Sequence, residues 1–197
     1  MKGAMSVYNN FFKRIFDIIV SVLAIIILSP IFIAIPIMIK LESQGPVFFK
    51  QRRIGKDAEE FLILKYRSMR IDTPNVATDK LTHPEQYVTK VGKFLRKTSL
   101  DEIPQLFNII KGDMSIVGPR PALFNQYNLI EEREKVKVNS IKPGLTGYAQ
   151  VKGRDLISDE EKVAYDLFYL NKISFIYDVK LIMKTFISVV KSEGVKG

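Results

Sequence analysis

The sequence predicts an α+β protein, mostly helical. A membrane-inserted helix–break–helix over residues 1–40 leads into one small globular domain over residues 41–197. Three observations carry that expectation. Ile18 to Ile39 are 22 consecutive uncharged, mostly apolar residues, broken by Ser29-Pro30. Helical stretches recur at 99–111, 122–137 and 174–191. Strand-like runs are short and confined to 47–49 and 61–67.

The apolar run comes first. A straight span needs about 20 apolar residues to cross a hydrocarbon core of about 30 Å. The arm before the break, Ile18 to Leu28, has 11 residues, and the arm after it, Ile31 to Ile39, has nine. Each reaches about half that thickness at about 1.5 Å per residue. Pro30 cannot donate an amide hydrogen bond and clashes with the preceding turn, so a bend is expected there. The Ser29 hydroxyl can serve the backbone groups that the bend frees. Lys13 and Arg14 precede the run, and Lys40, Lys50, Arg52, Arg53 and Lys56 follow it. Lys/Arg-rich flanks stay on the cytoplasmic side, so the two basic flanks weigh for a hairpin that enters and leaves by one face. A proline-kinked transmembrane helix is the alternative. The run is too long for a signal peptide, and no small-x-small cleavage site follows it.

Further elements follow in order. Ser43-Gln44-Gly45-Pro46 reads as a turn, and Val47–Phe49 and Phe61–Arg67 as a hairpin around Gly55-Lys56-Asp57. Residues 72–87, with two prolines and no clear period, read as a long loop carrying the lone His83. Helical spacing resumes from Val88 to Arg96. In 99–111, Ser99 and Glu102 match a capping box, and Leu100, Ile103, Leu106, Phe107 and Ile110 form one apolar face. Lys142-Pro143-Gly144 suits a type II turn. From Ser174 to Lys191, Phe175, Val179, Ile182, Met183, Phe186 and Val190 share a face, beside a stripe of Lys180, Lys184 and Lys191. That pattern fits a helix lying in a bilayer interface, and equally a core helix.

Composition narrows the chemistry. The chain lacks cysteine, which excludes disulfides, thiolate metal sites and a Cys nucleophile. Any metal would be held by carboxylates, carbonyls, substrate phosphates or His83, and oxygen ligands suit magnesium. Thirty basic against 21 acidic residues leave a net charge of +9, which favours anionic partners. A nucleic-acid binder would interleave aromatic and basic residues on one exposed face. No such run exists outside the apolar segments, so no nucleic acid is expected. A non-catalytic membrane-anchored adaptor is the other alternative, and it would have no need of Asp101-Glu102 and Pro119-Arg120-Pro121.

Asp101-Glu102 is the carboxylate pair of most interest. At a helix start, free amides and the positive dipole end hold a carboxylate ionised and attract phosphate. An ionised aspartate can attack phosphorus. The same pair also serves as an ordinary helix cap. Lys65, Arg67, Arg96, Arg120 and Arg154 surround it as cations in loop-like contexts. Guanidinium forks bind phosphate bidentately. Arg120, clamped by Pro119 and Pro121, is pre-set for that role.

These residues lie within longer strings: KRIFDIIVSVLAIIILSP (13–30), GPVFFKQRRIG (45–55), LKYRSMR (64–70), TSLDEIPQLFNIIKGDMSIVGPRP (98–121) and KPGLTGYAQVKGR (142–154). In that order, spread over residues 13–154, they resemble the bacterial sugar transferase family, the monotopic polyprenyl-phosphate phosphoglycosyl transferases. The size resembles that of the family's minimal catalytic unit. Tyr148 stands where many members have Trp, and Arg67-Ser68 where Lys-Thr is frequent.

The resemblance implies transfer of a sugar-1-phosphate from a UDP-sugar to undecaprenyl phosphate, with UMP as leaving group. It implies a small catalytic domain on the cytoplasmic face of the bacterial inner membrane, held by the re-entrant segment broken at Ser29-Pro30. Bacterial membrane lipids and later-acting glycosyltransferases are the implied partners. It makes Asp101 the nucleophile and Glu102 its helper, as base or magnesium ligand. Magnesium is the implied cofactor, held by Asp101 and Glu102. Arg96, Arg120 and Arg154 become phosphate clamps, beside the candidate phosphate ligands Lys65 and Arg67, and Pro119 and Pro121 bound a substrate loop around Arg120. Asp166 matches another family carboxylate.

Overall fold

The apolar run folds as two helices. In a computed structural model that describes residues 8–73, 84–153 and 157–190, α1 (Lys13–Ile27) and α2 (Ser29–Glu42) meet at Leu28 with a bend of 64°. Pro30 sits in the first turn of α2, where its missing N–H costs least. Among the described residues no single helix is long and apolar enough to cross a membrane. Arg154 and His83 lie outside the described residues.

α1 is amphipathic in the inverted sense. Lys13, Asp17 and Ser21, one turn apart, are buried, while Ile19, Leu23, Ile26 and Ile27 are exposed. A helix on a water-soluble core shows the opposite arrangement. The polar face is bolted to the rest of the chain. Arg14 donates to the carbonyls of Ile109 (2.5 Å) and Ile110 (2.7 Å). Asp17 accepts from the Ser115 hydroxyl (3.0 Å) and the Ile116 amide (2.9 Å). Lys13 pairs with Asp178 at 2.6 Å, and Asp178 also accepts from Tyr8 and Tyr169.

β1 (Phe48–Ile54) and β2 (Glu60–Tyr66) form the expected hairpin, with Phe48 opposite Tyr66 and Ile54 opposite Glu60. β1 runs longer than its three apolar residues because Lys50, Gln51, Arg52 and Arg53 each face an apolar residue of β2. The free edge of β2 is closed by a side chain. Asn108 accepts from the Leu64 amide (2.9 Å) and donates to the Leu62 carbonyl (2.8 Å), as a neighbouring strand would.

α3 (Lys90–Thr98) is capped twice. Thr89 accepts from the Gly92 amide, and Glu42, at the end of α2, accepts from the Lys90 and Val91 amides. Gly92 lies against the backbone of Ser68, where a Cβ would collide with the Ser68 carbonyl. The stretch 99–111 is divided, unlike the single helix expected. Ser99 adopts a left-handed conformation (φ 57°) and Leu100–Glu102 form a 3-10 turn. α4 (Gln105–Lys111) starts only after Pro104. The Ser99/Glu102 capping box does not form, because Glu102 is drawn into ion pairs. A complete capping box opens a later helix, between Ser158 and Glu161.

β3 (Ser115–Val117) pairs in parallel with β4 (Gly144–Thr146). The type II turn expected at Lys142–Gly144 is absent, since Gly144 opens β4 with no left-handed φ. Gly144 is needed for close approach: a Cβ there would overlap Gly118. α5 (Tyr127–Lys135) is shorter than the expected 122–137, because Ala122 and Leu123 pair with the end of β1.

α6 (Tyr148–Lys152), α7 (Asp159–Lys172) and α8 (Phe175–Val190) complete the chain. Tyr148 packs between Tyr165 and Phe168, a packing position that another aromatic could fill. The main core gathers Ile63, Leu106, Ile109, Met114, Tyr169 and Leu181. A second cluster joins α2 to α3 through Ile35, Ile39, Tyr66 and Leu95. α8 buries Asp178 and Leu181 and turns Phe175, Ile176, Met183, Phe186 and Ile187 outward.

Candidate active site

The 3-10 turn at Leu100–Glu102 places both acidic residues against β2. Glu102 Oε1 accepts from Lys65 Nζ at 2.7 Å and lies 3.3 Å from Arg120 Nη2. Burial opposes its ionisation, but Lys65 and Arg120 outweigh that and hold its carboxyl well below the usual range. Asp101 is treated differently. It is 9 % exposed, and it makes no hydrogen bond or ion pair with any described residue. Burial, with the Glu102 charge, pushes its carboxyl up to about 6, against the pull of Lys65, Arg96 and Arg120.

Arg96 approaches from α3. Its Nε donates to the Ser68 hydroxyl at 2.9 Å, a contact that the close packing of Gly92 on Ser68 makes possible. Arg120 comes from the loop after β3, and that loop is tethered at three successive carbonyls. Pro119 O accepts from the Gly144 amide (2.8 Å). Arg120 O accepts from Arg133 (2.8 Å), and Pro121 O from Arg53 (2.9 Å). Three elements thus fix one stretch of backbone, so the guanidinium is preorganised at little further entropic cost.

The remaining expected site residues fall elsewhere. Arg67 is buried, and its terminal nitrogens are committed to Ser43 and the Gln44 carbonyl. It ties β2 to the end of α2. Asp166 is 1 % exposed and pairs with Arg133 at 2.6 Å. It acts on the site through Arg133 and the Arg120 carbonyl. Ser29 and Pro30 lie at the bend between α1 and α2.

A small cleft opens beside Glu102, lined by Arg53, Ile63, Lys65, Glu102, Gln105, Arg120 and Pro121. Arg53 and Gln105 had no place in the sequence reading of the site. Arg53 looked like flanking charge, and nothing in a linear string shows that β1 brings it to Pro121. Among the described residues no group of three or more His, Cys, Asp or Glu converges. Magnesium binds through one or two carboxylates, with water and substrate phosphate filling its other positions. The adjacent carboxylates of Asp101 and Glu102 fit that ion and do not fit structural zinc.

Such a site, a carboxylate pair ringed by lysine and arginine on a preset loop, belongs to proteins that handle anionic phosphate compounds. Comparison with known proteins sharpens this: residues 8–192 match the bacterial sugar transferase model, and the chain belongs to that family. It is 39% identical over 189 residues to a UDP-glucose:undecaprenyl-phosphate glucose-1-phosphate transferase of Escherichia coli, a match that covers 92% of this chain and 40% of that protein. It is 37% identical to the exopolysaccharide production protein ExoY of Sinorhizobium fredii, over 98% of this chain and 91% of ExoY. It is 36% identical to a UDP-N-acetylgalactosamine-undecaprenyl-phosphate N-acetylgalactosaminephosphotransferase of Aeromonas hydrophila, over 94% of this chain and 45% of that protein. The chain thus spans less than half the length of the two named phosphotransferases and nearly all of ExoY.

Proposed function

We propose that this chain transfers a sugar-1-phosphate from a UDP-sugar to undecaprenyl phosphate through a covalent intermediate on Asp101. The names of its relatives support the overall reaction, and one observation carries the mechanism. Asp101 is a nearly buried carboxylate with no hydrogen bond or ion pair among the described residues, while Glu102 beside it pairs directly with Lys65 and Arg120. A carboxyl raised to about 6 is ionised at neutral pH and more nucleophilic than an ordinary aspartate.

In the first step an Asp101 oxygen forms a bond to the sugar-bearing phosphorus. The bridging P–O bond breaks, and UMP leaves with its electron pair. In the second step the lipid phosphate attacks the same phosphorus. The acyl phosphate bond breaks, which restores the Asp101 carboxylate and leaves the sugar on a lipid diphosphate. Lys65, Arg96 and Arg120 hold the diphosphate charge. Magnesium held by Asp101 and Glu102 supplies further charge neutralisation when bound.

The inverted α1 face supports a membrane seat for the reaction. Two arms of about 22 Å bent by 64° and set evenly about the membrane normal reach a depth of about 12 Å. That depth stays within one leaflet of a core about 30 Å thick, so both basic ends return to the same side. The exposed apolar face of α8 then rests at the headgroup level, and a lipid phosphate reaches Asp101 without leaving the bilayer.

Incubating the chain with a UDP-sugar and no lipid acceptor tests the mechanism. A burst of UMP no larger than the enzyme concentration is expected, with one phosphosugar added to the protein mass. Asp101→Asn should lose both. UMP release that strictly requires acceptor, with no adduct under any quench, would sink the covalent route. Cysteines at Lys2 and Lys50 should be labelled from one side of the bilayer, and labelling from opposite sides would refute the re-entrant seat.

A further inference from the structure

Gln105 opens α4 three residues after Glu102 and is 2 % exposed. It lines the cleft shared by Arg53, Lys65, Glu102 and Arg120. Its amide nitrogen is buried without any hydrogen-bond acceptor. Buried donors are almost always satisfied, so an orphan in a cleft calls for a missing partner. The other polar groups of that wall are accounted for. Lys65 and Arg120 hold Glu102, and Arg53 holds Gln51 and the Pro121 carbonyl.

We infer that the Gln105 amide donates a hydrogen bond to a diphosphate oxygen of the bound nucleotide sugar, as a binding residue of the proposed reaction. The inference rests on that reading and deepens it. The acceptor is a phosphate oxygen because three cations, Arg53, Lys65 and Arg120, share the same wall, and a wall of this sign gathers an anion. A neutral donor has a particular use beside Glu102. It adds a directed hydrogen bond without adding a charge that Glu102 would neutralise. Its cost falls on the empty protein, where the amide is dehydrated with nothing to bond, and is recovered when the diphosphate enters.

That asymmetry separates a ligand-directed amide from a structural one. In Gln105→Met the shape is kept and the donor removed. Using the full chain in lipid nanodiscs with magnesium, melting temperature is measured alone and with UDP or UMP, and UMP release is followed with a UDP-sugar that the wild type turns over. Without nucleotide the variant should melt at the wild-type temperature or above it, since an orphaned donor is gone. The stabilisation by UDP should correspond to binding about 10- to 100-fold weaker, with a similar fall in kcat/KM. UMP, which lacks the second phosphate, should discriminate less between the two proteins.

A variant that melts lower than wild type yet keeps the full UDP shift would show a structural glutamine and overturn the inference. Unchanged melting together with an unchanged UDP shift would overturn it too. If the wild type itself neither responds to UDP nor releases UMP, the reaction reading fails and takes this inference with it. If Gln105→Met does not fold, Gln105→Glu serves instead. It replaces the donor by an oxygen at constant shape, and a folded Q105E that binds UDP as well as wild type would overturn the inference.

Discussion

Two buried polar clusters of this chain use the same residue types to opposite ends. Beneath α1, Asp178 receives Lys13, Tyr8 and Tyr169, and Asp17 receives Ser115 and the Ile116 amide. At the cleft, Glu102 receives Lys65 and Arg120, yet among the described residues Asp101 receives no hydrogen bond and the Gln105 amide has no acceptor. In the first cluster both carboxylates are satisfied, with only the nearby Ser21 hydroxyl on that face left over, and it joins α1 to α8 and β3. The second is incomplete among the described residues: the Asp101 carboxylate lacks a donor and the Gln105 amide an acceptor. Satisfied buried charges hold a structure together, whereas unsatisfied ones store free energy that a ligand can release.

The comparison breaks most sharply at its carboxylates. Asp101→Asn should reduce UMP formation by about 10³-fold or more, because the proposed nucleophile is lost at constant shape. Its thermal unfolding should remain cooperative. Asp178→Asn should do the reverse. It strands the Lys13 ammonium in a buried site, at a cost of about 3–5 kcal/mol, which calorimetry or urea unfolding will show. The specific activity of the folded fraction should hold.

A third expectation concerns pH. The Asp101 carboxyl is raised to about 6 in the folded chain, against about 3.9 in an unfolded one. Below pH 4 both states carry the proton. As pH rises from about 4 through 6, the unfolded state loses it first, so stability falls across that window. Ionised Asp101 therefore costs the native state roughly 2–3 kcal/mol at neutral pH. In metal-free buffer, Asp101→Asn should melt a few degrees above wild type at pH 7.5, and the gap should close near pH 4. Activity runs the other way: kcat/KM should decline about tenfold per pH unit below 6 as the nucleophile is protonated. The smallest effect belongs to Arg53→Lys. Its charge is kept but the fork holding Pro121 O and Gln51 is lost. A drop of about 10-fold in kcat/KM is expected, with stability changed by under about 1 kcal/mol.

The sequence by itself determined the elements whose causes are local. Ser29-Pro30 ends α1 because the proline ring clashes with the preceding turn, and the apolar run opening Phe61–Arg67 makes a strand. The strings around Asp101 and Arg120 were enough to bring Lys65, Glu102 and Arg120 under suspicion together. Tertiary structure decided what each charge does. Glu102 reads as a capping residue in one dimension, but a nearby ammonium and guanidinium outcompete a backbone amide for a carboxylate. Arg67 and Asp166 read as site residues in the sequence, and the fold buries them and engages Arg67 with Ser43 and Gln44 and Asp166 with Arg133. Arg53 and Gln105 were invisible because their roles depend on contacts 68 residues away in the chain, or on a contact not made at all. Residue type and spacing report which groups can react. Only the packing reports which of them have been left without a partner.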